Sequence, residues 1–284
     1  MTTKKIKVTT ITFMLLVCTC MQINAQVKWK RNESANVLPL QLFHSQHSIN
    51  LPTAEMLQKG AFEFEISHRF LPSINGGFKD FFGFDGPVNI RLALGYAVTD
   101  NIFIALGRSN VDDNIDLRIK YRLFQYDNDI LPLVVGARGG VAWNSDPIGK
   151  TNGGGRDFQY YGQLIFNTMI DKKLGIGLVP SYLYNSNIYR SDIQDSFTMG
   201  INLQYYVSHL LSVMAEFNPT VSGYRNRFDS FSAGIELETG GHFFKIIVTN
   251  NSLLNPSQFL SGADRRFEDG AWQLGFNITR LLKF

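Results

Sequence analysis

The sequence predicts an all-β fold: a transmembrane up-and-down antiparallel β-barrel of about 12 strands. Three observations point to it. Apolar and polar residues alternate in many separate segments, the period of a pleated strand with one greasy face. The connections between these segments are alternately short and long. Beyond the N-terminus, no apolar run approaches the roughly 18 residues that a membrane-spanning helix needs.

The chain opens MTTKKIKVTTITFMLLVCTCMQINAQ, with a basic head at Lys4, Lys5 and Lys7, an apolar stretch around Ile11 to Val17, and a small-residue exit at Ala25. This is the anatomy of a secretory signal peptide over residues 1–25. The apolar stretch is too short for a spanning anchor. Val17 and Thr19, which precede Cys18 and Cys20, are not the small residues that lipoprotein processing uses. Cleavage after Ala25 removes both cysteines, and with them any disulfide or thiolate chemistry. It also takes the 27 Lys and Arg to 24, equal to the 24 Asp and Glu, so charge gives no argument for nucleic acid.

Residues 26–60 show weak periodicity and are expected to begin in the periplasm, either folding into the lumen as a small plug or lying beneath it. Residues 61–284 carry the barrel pattern. In AFEFEISHRF, Phe62, Phe64, Ile66 and Phe70 oppose Glu63, Glu65, Ser67 and Arg69. VNIRLALGYA sets Val88, Ile90, Leu92, Leu94 and Tyr96 against Asn89, Arg91, Ala93 and Gly95. IDLRIKYRLF sets Ile115, Leu117, Ile119, Tyr121 and Leu123 against Asp116, Arg118, Lys120 and Arg122. Similar runs begin near Ile102, Pro132, Phe158, Leu174, Phe197, Leu210, Phe231, Phe243 and Ala271.

The connections VTDN, DKK, SH and TGG have the length and residues of tight hairpins. Those between them, such as LPSINGGFKDFFGFDGP and SLLNPSQFLSGADRRFED, are long. Two fit less well: QYDNDIL is long for a turn, and NVDDN is short for an outer loop. A soluble sandwich also alternates, but turning these apolar faces inward would leave a charged shell around a large cavity. With lipid outside and a polar lumen, every strand is satisfied, and closure removes the unpaired edges. The final strand ends on a bare Phe284, which is similar to the signal read by outer-membrane barrel assembly machinery. That machinery and the lipids of a bacterial outer membrane, lipopolysaccharide included, are the expected partners.

Several blocks resemble those of a bacterial outer-membrane β-barrel family described only as a barrel domain of unknown function. They are FEFEISHRF, FFGFDGPVNIRLALGYAVTDNIFIALGRS, DLRIKYRLF, LETGGHFFKIIVTNN and GFNITRLLKF, with SHRF and ETGGHFF the most specific. The resemblance runs from about His44 to Phe284 and implies fold and location, with no catalytic residue.

Reactive motifs are sparse. GKT at Gly149–Thr151 lacks the glycine of a phosphate loop, since Asn144 stands five positions before Gly149. His44 and His47 have metal-like spacing without a third ligand, so neither a metal nor a cofactor is expected. A barrel hydrolase would need a nucleophile facing outward beside His68. The neighbouring strands offer Val88, Ile90 and Trp272, so no enzyme is expected.

His68, Arg108 and Arg280 share the outward parity near the membrane rims and are expected to meet lipid headgroups. Tyr96, Tyr160, Tyr182, Tyr184, Tyr205 and Trp272 are expected in aromatic girdles. Facing inward, Arg91, Arg118, Lys120, Arg122 and Arg138 are expected to form a basic wall. Glu63, Glu65, Glu216, Glu236 and Glu238 are expected to form an acidic one. Two such walls would set a field across a narrow passive channel for small polar solutes, or would plug the bore by pairing. The alternatives are a non-conducting barrel that displays its outer loops for adhesion or partner binding, and third an outer-membrane hydrolase.

Overall fold

The computed structural model describes residues 40–147 and 155–283. The expected leader over residues 1–25, the stretch 26–39, the GKT motif and Phe284 lie outside the described residues. The strands are β1 (Phe62–Ser73), β2 (Val88–Thr99), β3 (Ile102–Ser109), β4 (Asn114–Tyr126), β5 (Leu133–Asn144), β6 (Phe158–Ile170) and β7 (Leu174–Tyr184). They continue as β8 (Asp195–Tyr206), β9 (Leu211–Asn218), β10 (Thr220–Gly223), β11 (Ser230–Glu238), β12 (His242–Thr249) and β13 (Gln273–Leu282).

The strands pair antiparallel in chain order, and β1 meets β13 with Ile66 opposite Ile278, which closes the sheet. β9 and β10 are two halves of one stave against β8, so the barrel has 12 staves. The break falls at Pro219, which has no N–H to give a ladder; its carbonyl still accepts from Met199 at 3.1 Å.

Closure removes every long unpaired edge, so the wall can sit in lipid. Its outer surface is the apolar parity: Leu92, Leu94, Leu106, Leu117, Ile119 and Leu203 are all exposed. Tyr160, Tyr182, Tyr184 and Trp143 ring the outer end, and Tyr96, Tyr121 and Tyr205 the other. Short turns mark the periplasmic side. At Thr239–Gly241 the reversal needs Gly240 (φ +65°) and Gly241 (φ +96°), a conformation where a Cβ is strained.

The interior is filled. Residues 40–61 run through it without strand or helix, held into a tight bend by a bridge between His47 and Pro52. From the outer end the β12–β13 connection also turns inward, with Asn255 and the short helix α1 (Pro256–Phe259) buried. The two insertions meet in one apolar cluster: Leu42, Phe43 and Leu51 pack with Phe259 and Leu260 against Val134, Tyr161, Ile165, Val179 and Leu183 of the wall. The inward face of β5 to β7 is therefore partly apolar, where alternation alone suggested a polar bore. Small residues make room. A Cβ at Gly200 would come within 2.7 Å of the Leu51 side chain, and one at Gly175 within 3.0 Å of Phe43.

Candidate functional site

The site is the joint between the plug, residues 40–61, and the barrel wall. Its first anchor is Glu216 on β9, which points inward and is buried. Its carboxylate accepts the amides of Ile49 at 2.6 Å, Asn50 at 2.9 Å and Leu51 at 2.9 Å. Three successive N–H groups converging on one carboxylate form a backbone anion cradle. Around it Arg69 donates to Asn50 Oδ1 at 2.9 Å, and Asn277 donates to the Ile49 carbonyl at 2.9 Å.

The second anchor reverses the polarity. Lys245 on β12 donates to Ser45 Oγ at 2.8 Å and to the carbonyls of His47 and Ser48, while pairing with Glu236 at 3.1 Å. Glu236 also meets His44 Nδ1 at 3.2 Å and accepts from Ser45 Oγ at 3.1 Å. A third contact comes from Lys120, which donates to the carbonyls of Thr53 at 3.2 Å and Glu55 at 2.6 Å. Asn167 accepts the Ala54 amide. Because the plug has no ladder of its own, the wall satisfies its backbone groups, as burial requires.

Within the plug, Glu55 Oε1 accepts the amides of Leu42 at 2.7 Å and Phe43 at 3.0 Å, tying its two ends together. Burial pushes the Glu55 carboxyl up to about 7, and the two amides and Lys120 offset only part of that. His47 goes the other way. Burial and the nearby Arg118, Arg138 and Lys120 hold its imidazole well below 6.5, and Arg138 Nη1 lies 2.8 Å from its Nε2.

The structure places Glu63, Glu65, Arg91, Arg118, Lys120, Arg138, Glu216 and Glu236 inside the barrel. Arg91, Arg118, Lys120 and Arg138 lie on β2, β4 and β5, and Glu216 and Glu236 on β9 and β11. Glu65 pairs with Arg91 at 2.8 Å and Arg118 at 3.2 Å, and Arg91 reaches Asp116 at 3.2 Å. Pairs between β1, β2 and β4 thus neutralise part of the basic sector. Two residues are corrected. Arg122 holds the β2–β3 turn at the rim, bonding Asn101 Oδ1 at 3.1 Å and the Asp100 carbonyl at 2.9 Å. Glu238 caps the Gly240 amide of the β11–β12 turn at 3.1 Å. Both have inward parity, but their height along the strand puts them at the mouth.

Of the rim candidates, His68 stacks on Phe276 with ring centroids 4.3 Å apart. Arg108 pairs with Asp113 in the short β3–β4 connection. Arg280 lies in register with Phe64 and His242. The cross-strand neighbours of His68 are Ile90 and Phe276, which offer no hydroxyl. His47, Glu63 and Glu65 bring ligand atoms within 4.8 Å of one another. Arg91, Arg118 and Arg138 already engage Glu65 and His47, so the cluster suits a cation poorly.

Sequence reasoning missed Lys245, Arg69, Asn167 and Glu55. Lys245 had a signal: it is the one charge between Phe243 and Ile247 on the inward parity of β12. For Glu55 there was none, since the periodicity of its segment is too weak to assign a face.

The comparisons agree with this architecture. An outer membrane channel from Pseudomonas putida F1 superposes with a TM-score of 0.51 at 14% identity, over 81% of this chain and 98% of that one. The outer membrane protein Omp33 of Acinetobacter baumannii is more distant, with a TM-score of 0.41 at 12% identity, over 82% of this chain and 100% of that one. The first likeness concerns the fold alone, that of a bacterial outer-membrane barrel. No curated protein matches the sequence. Residues 43–282 match the family described as membrane bound beta barrel domain (DUF5777), and the chain belongs to that family of outer-membrane β-barrels.

Proposed function

We propose that the protein is a gated passage for small polar solutes, closed at rest by its own residues 40–61. One observation carries the reading: Glu216 gathers the amides of Ile49, Asn50 and Leu51. The wall therefore holds the plug through polar groups that water could satisfy once the plug leaves. Beside these polar groups, Leu42, Phe43 and Leu51 add apolar contact with the wall. The exposed plug path would then be lined by Arg69, Lys120, Asn167, Glu216 and Lys245, side chains suited to hydrated solutes.

A second reading is the non-conducting barrel that displays its loops. It is favoured by the inward α1 segment, a second insertion that packs on the plug and enters the bore from the outer end. Planar bilayers separate the two. The gated passage predicts a nearly silent parent and discrete current steps when residues 40–58 are deleted. Steady current from the parent would overturn the plug. Silence from the assembled deletion would leave the display barrel in its place.

A further inference from the structure

The β1–β2 connection leaves the outer end of the barrel as a kinked 3-10 segment, Ile74–Gly83, with sequence INGGFKDFFG, followed by Phe84. Four of its rings face away from the protein: Phe78 is 80% exposed, Phe81 57%, Phe82 53% and Phe84 50%. Contiguous aromatic surface of this kind marks an interaction site, because water is a poor solvent for it. The backbone adds to this. Phe81 and Phe82 both sit in the left-handed region, at φ +44° and +54°. Bulky L residues adopt that region only at a cost in strain. Asn or Gly would make the same bend more easily, so the strain is borne by rings that gain nothing in water.

The rings also form a row. Phe78 lies 6.3 Å from Phe81, Phe81 lies 6.1 Å from Phe84, and Phe84 meets Phe70 edge-on at 5.1 Å. Phe70 faces outward on β1, 6.2 Å from Phe276 of β13. It continues the outward parity of Phe62, Phe64 and Ile66 on β1, and the rings of the loop extend that row. Beside this sector, a groove of about 460 Å³ lies on the lipid face of β11 and β12 beneath Phe267 and Trp272. The two features are joined, since the Ile74 amide donates to the Trp272 carbonyl at 2.9 Å.

We propose that Ile74–Phe84 is a lipid-inserted foot, with Phe78, Phe81, Phe82 and Phe84 in the acyl layer of the outer leaflet. The occupant follows from continuity: the row starts in the lipid belt at Phe70, so the phase that bathes Phe70 also bathes Phe84 and the rings beyond it. The exposed Lys79 sits between Phe78 and Phe81 in sequence, and its long stem can bring the ammonium back to the headgroups. The foot would fix the depth and tilt of the barrel on the β1–β13 side, as interfacial aromatics do elsewhere.

Tryptophan depth measurements test this. Phe78→Trp and Phe82→Trp are made separately in a chain with Trp29, Trp143 and Trp272 replaced by Phe, and each is reconstituted in phosphatidylcholine vesicles. Heat-modifiable gel mobility verifies assembly. The foot predicts that lipids brominated in the upper acyl chain remove most of the emission of both variants, while aqueous acrylamide removes little. If acrylamide quenches either one more strongly than brominated lipid, the loop stands in water and its rings await a protein partner. That result overturns the proposal.

Discussion

The carboxylate of Glu216 accepts the amide of Ile49 at 2.6 Å, across 167 residues of sequence. Charge-assisted bonds of this type are the strong ones, and this one belongs to a set of three that holds the plug in the bore.

Glu216→Gln should loosen the plug. The amide keeps one acceptor but loses the charge and turns a donor toward at least one of the three N–H groups. Each bond lost to a charged acceptor costs about 1.5–3 kcal/mol. Brief current steps in planar bilayers are expected, with unchanged heat-modifiability. A variant as silent as the parent would show that Glu216 does not control the plug.

Lys245→Met should cost more. It leaves Glu236 buried without its 3.1 Å partner, and breaking one side of a buried pair costs about 3–5 kcal/mol. Adding Glu236→Gln removes the stranded charge and should restore part of the thermal stability. Additive losses in that double-mutant cycle would mean the two side chains are uncoupled.

The plug should respond to pH through two opposed groups. The Glu55 carboxyl titrates near 7 when docked and near its ordinary 4.5 when free. The docked plug therefore holds a proton that the free plug releases, and docking weakens as pH rises through about 7. His47 is held well below 6.5 when docked, so a free plug gains a proton on acidification and docking weakens as pH falls below 6.5. Between about pH 5 and 7 the two offset each other. Glu55→Gln should leave release on acidification, and His47→Gln should leave tightening. A spin label at the exposed Gln41 reads plug mobility. Parallel trends in the two variants would refute the assignment.

Arg108→Ala should change little. Its pair with Asp113 is solvent-exposed, with 58% of the arginine side chain accessible, and such pairs contribute about 0–1 kcal/mol. A melting temperature lowered by ten degrees or so would mean the short β3–β4 connection depends on it.

Single cysteines in a chain lacking Cys18 and Cys20 report topology. Arg190→Cys, in the exposed β7–β8 connection, should react with a membrane-impermeant maleimide on intact cells. Lys172→Cys, in the β6–β7 turn, should react only after the outer membrane is opened. The opposite pattern would invert the barrel. Ser261, an outer-loop residue by sequence, is only 8% exposed because its segment folds inward, so a tag there should escape antibodies.

Strand number, closure and the lipid face were legible in the sequence for a local reason. Side-chain alternation is a property of each strand alone, as in Ile115 to Arg122, and loop lengths alternate wherever turns do. Height within the barrel was not legible: Arg118 and Arg122 share a parity, yet Arg118 pairs with Glu65 inside while Arg122 clasps a turn. Register against neighbouring strands sets that height, and register is a long-range property. The plug was the least legible part. Residues 40–61 show only weak periodicity, and their backbone groups are satisfied by Glu216, Lys245, Lys120 and Asn167, supplied by strands far along the chain. The sequence by itself determined a barrel with an apolar outside. Only the tertiary structure decided what fills its inside, since a filled lumen is made of contacts that no local pattern encodes.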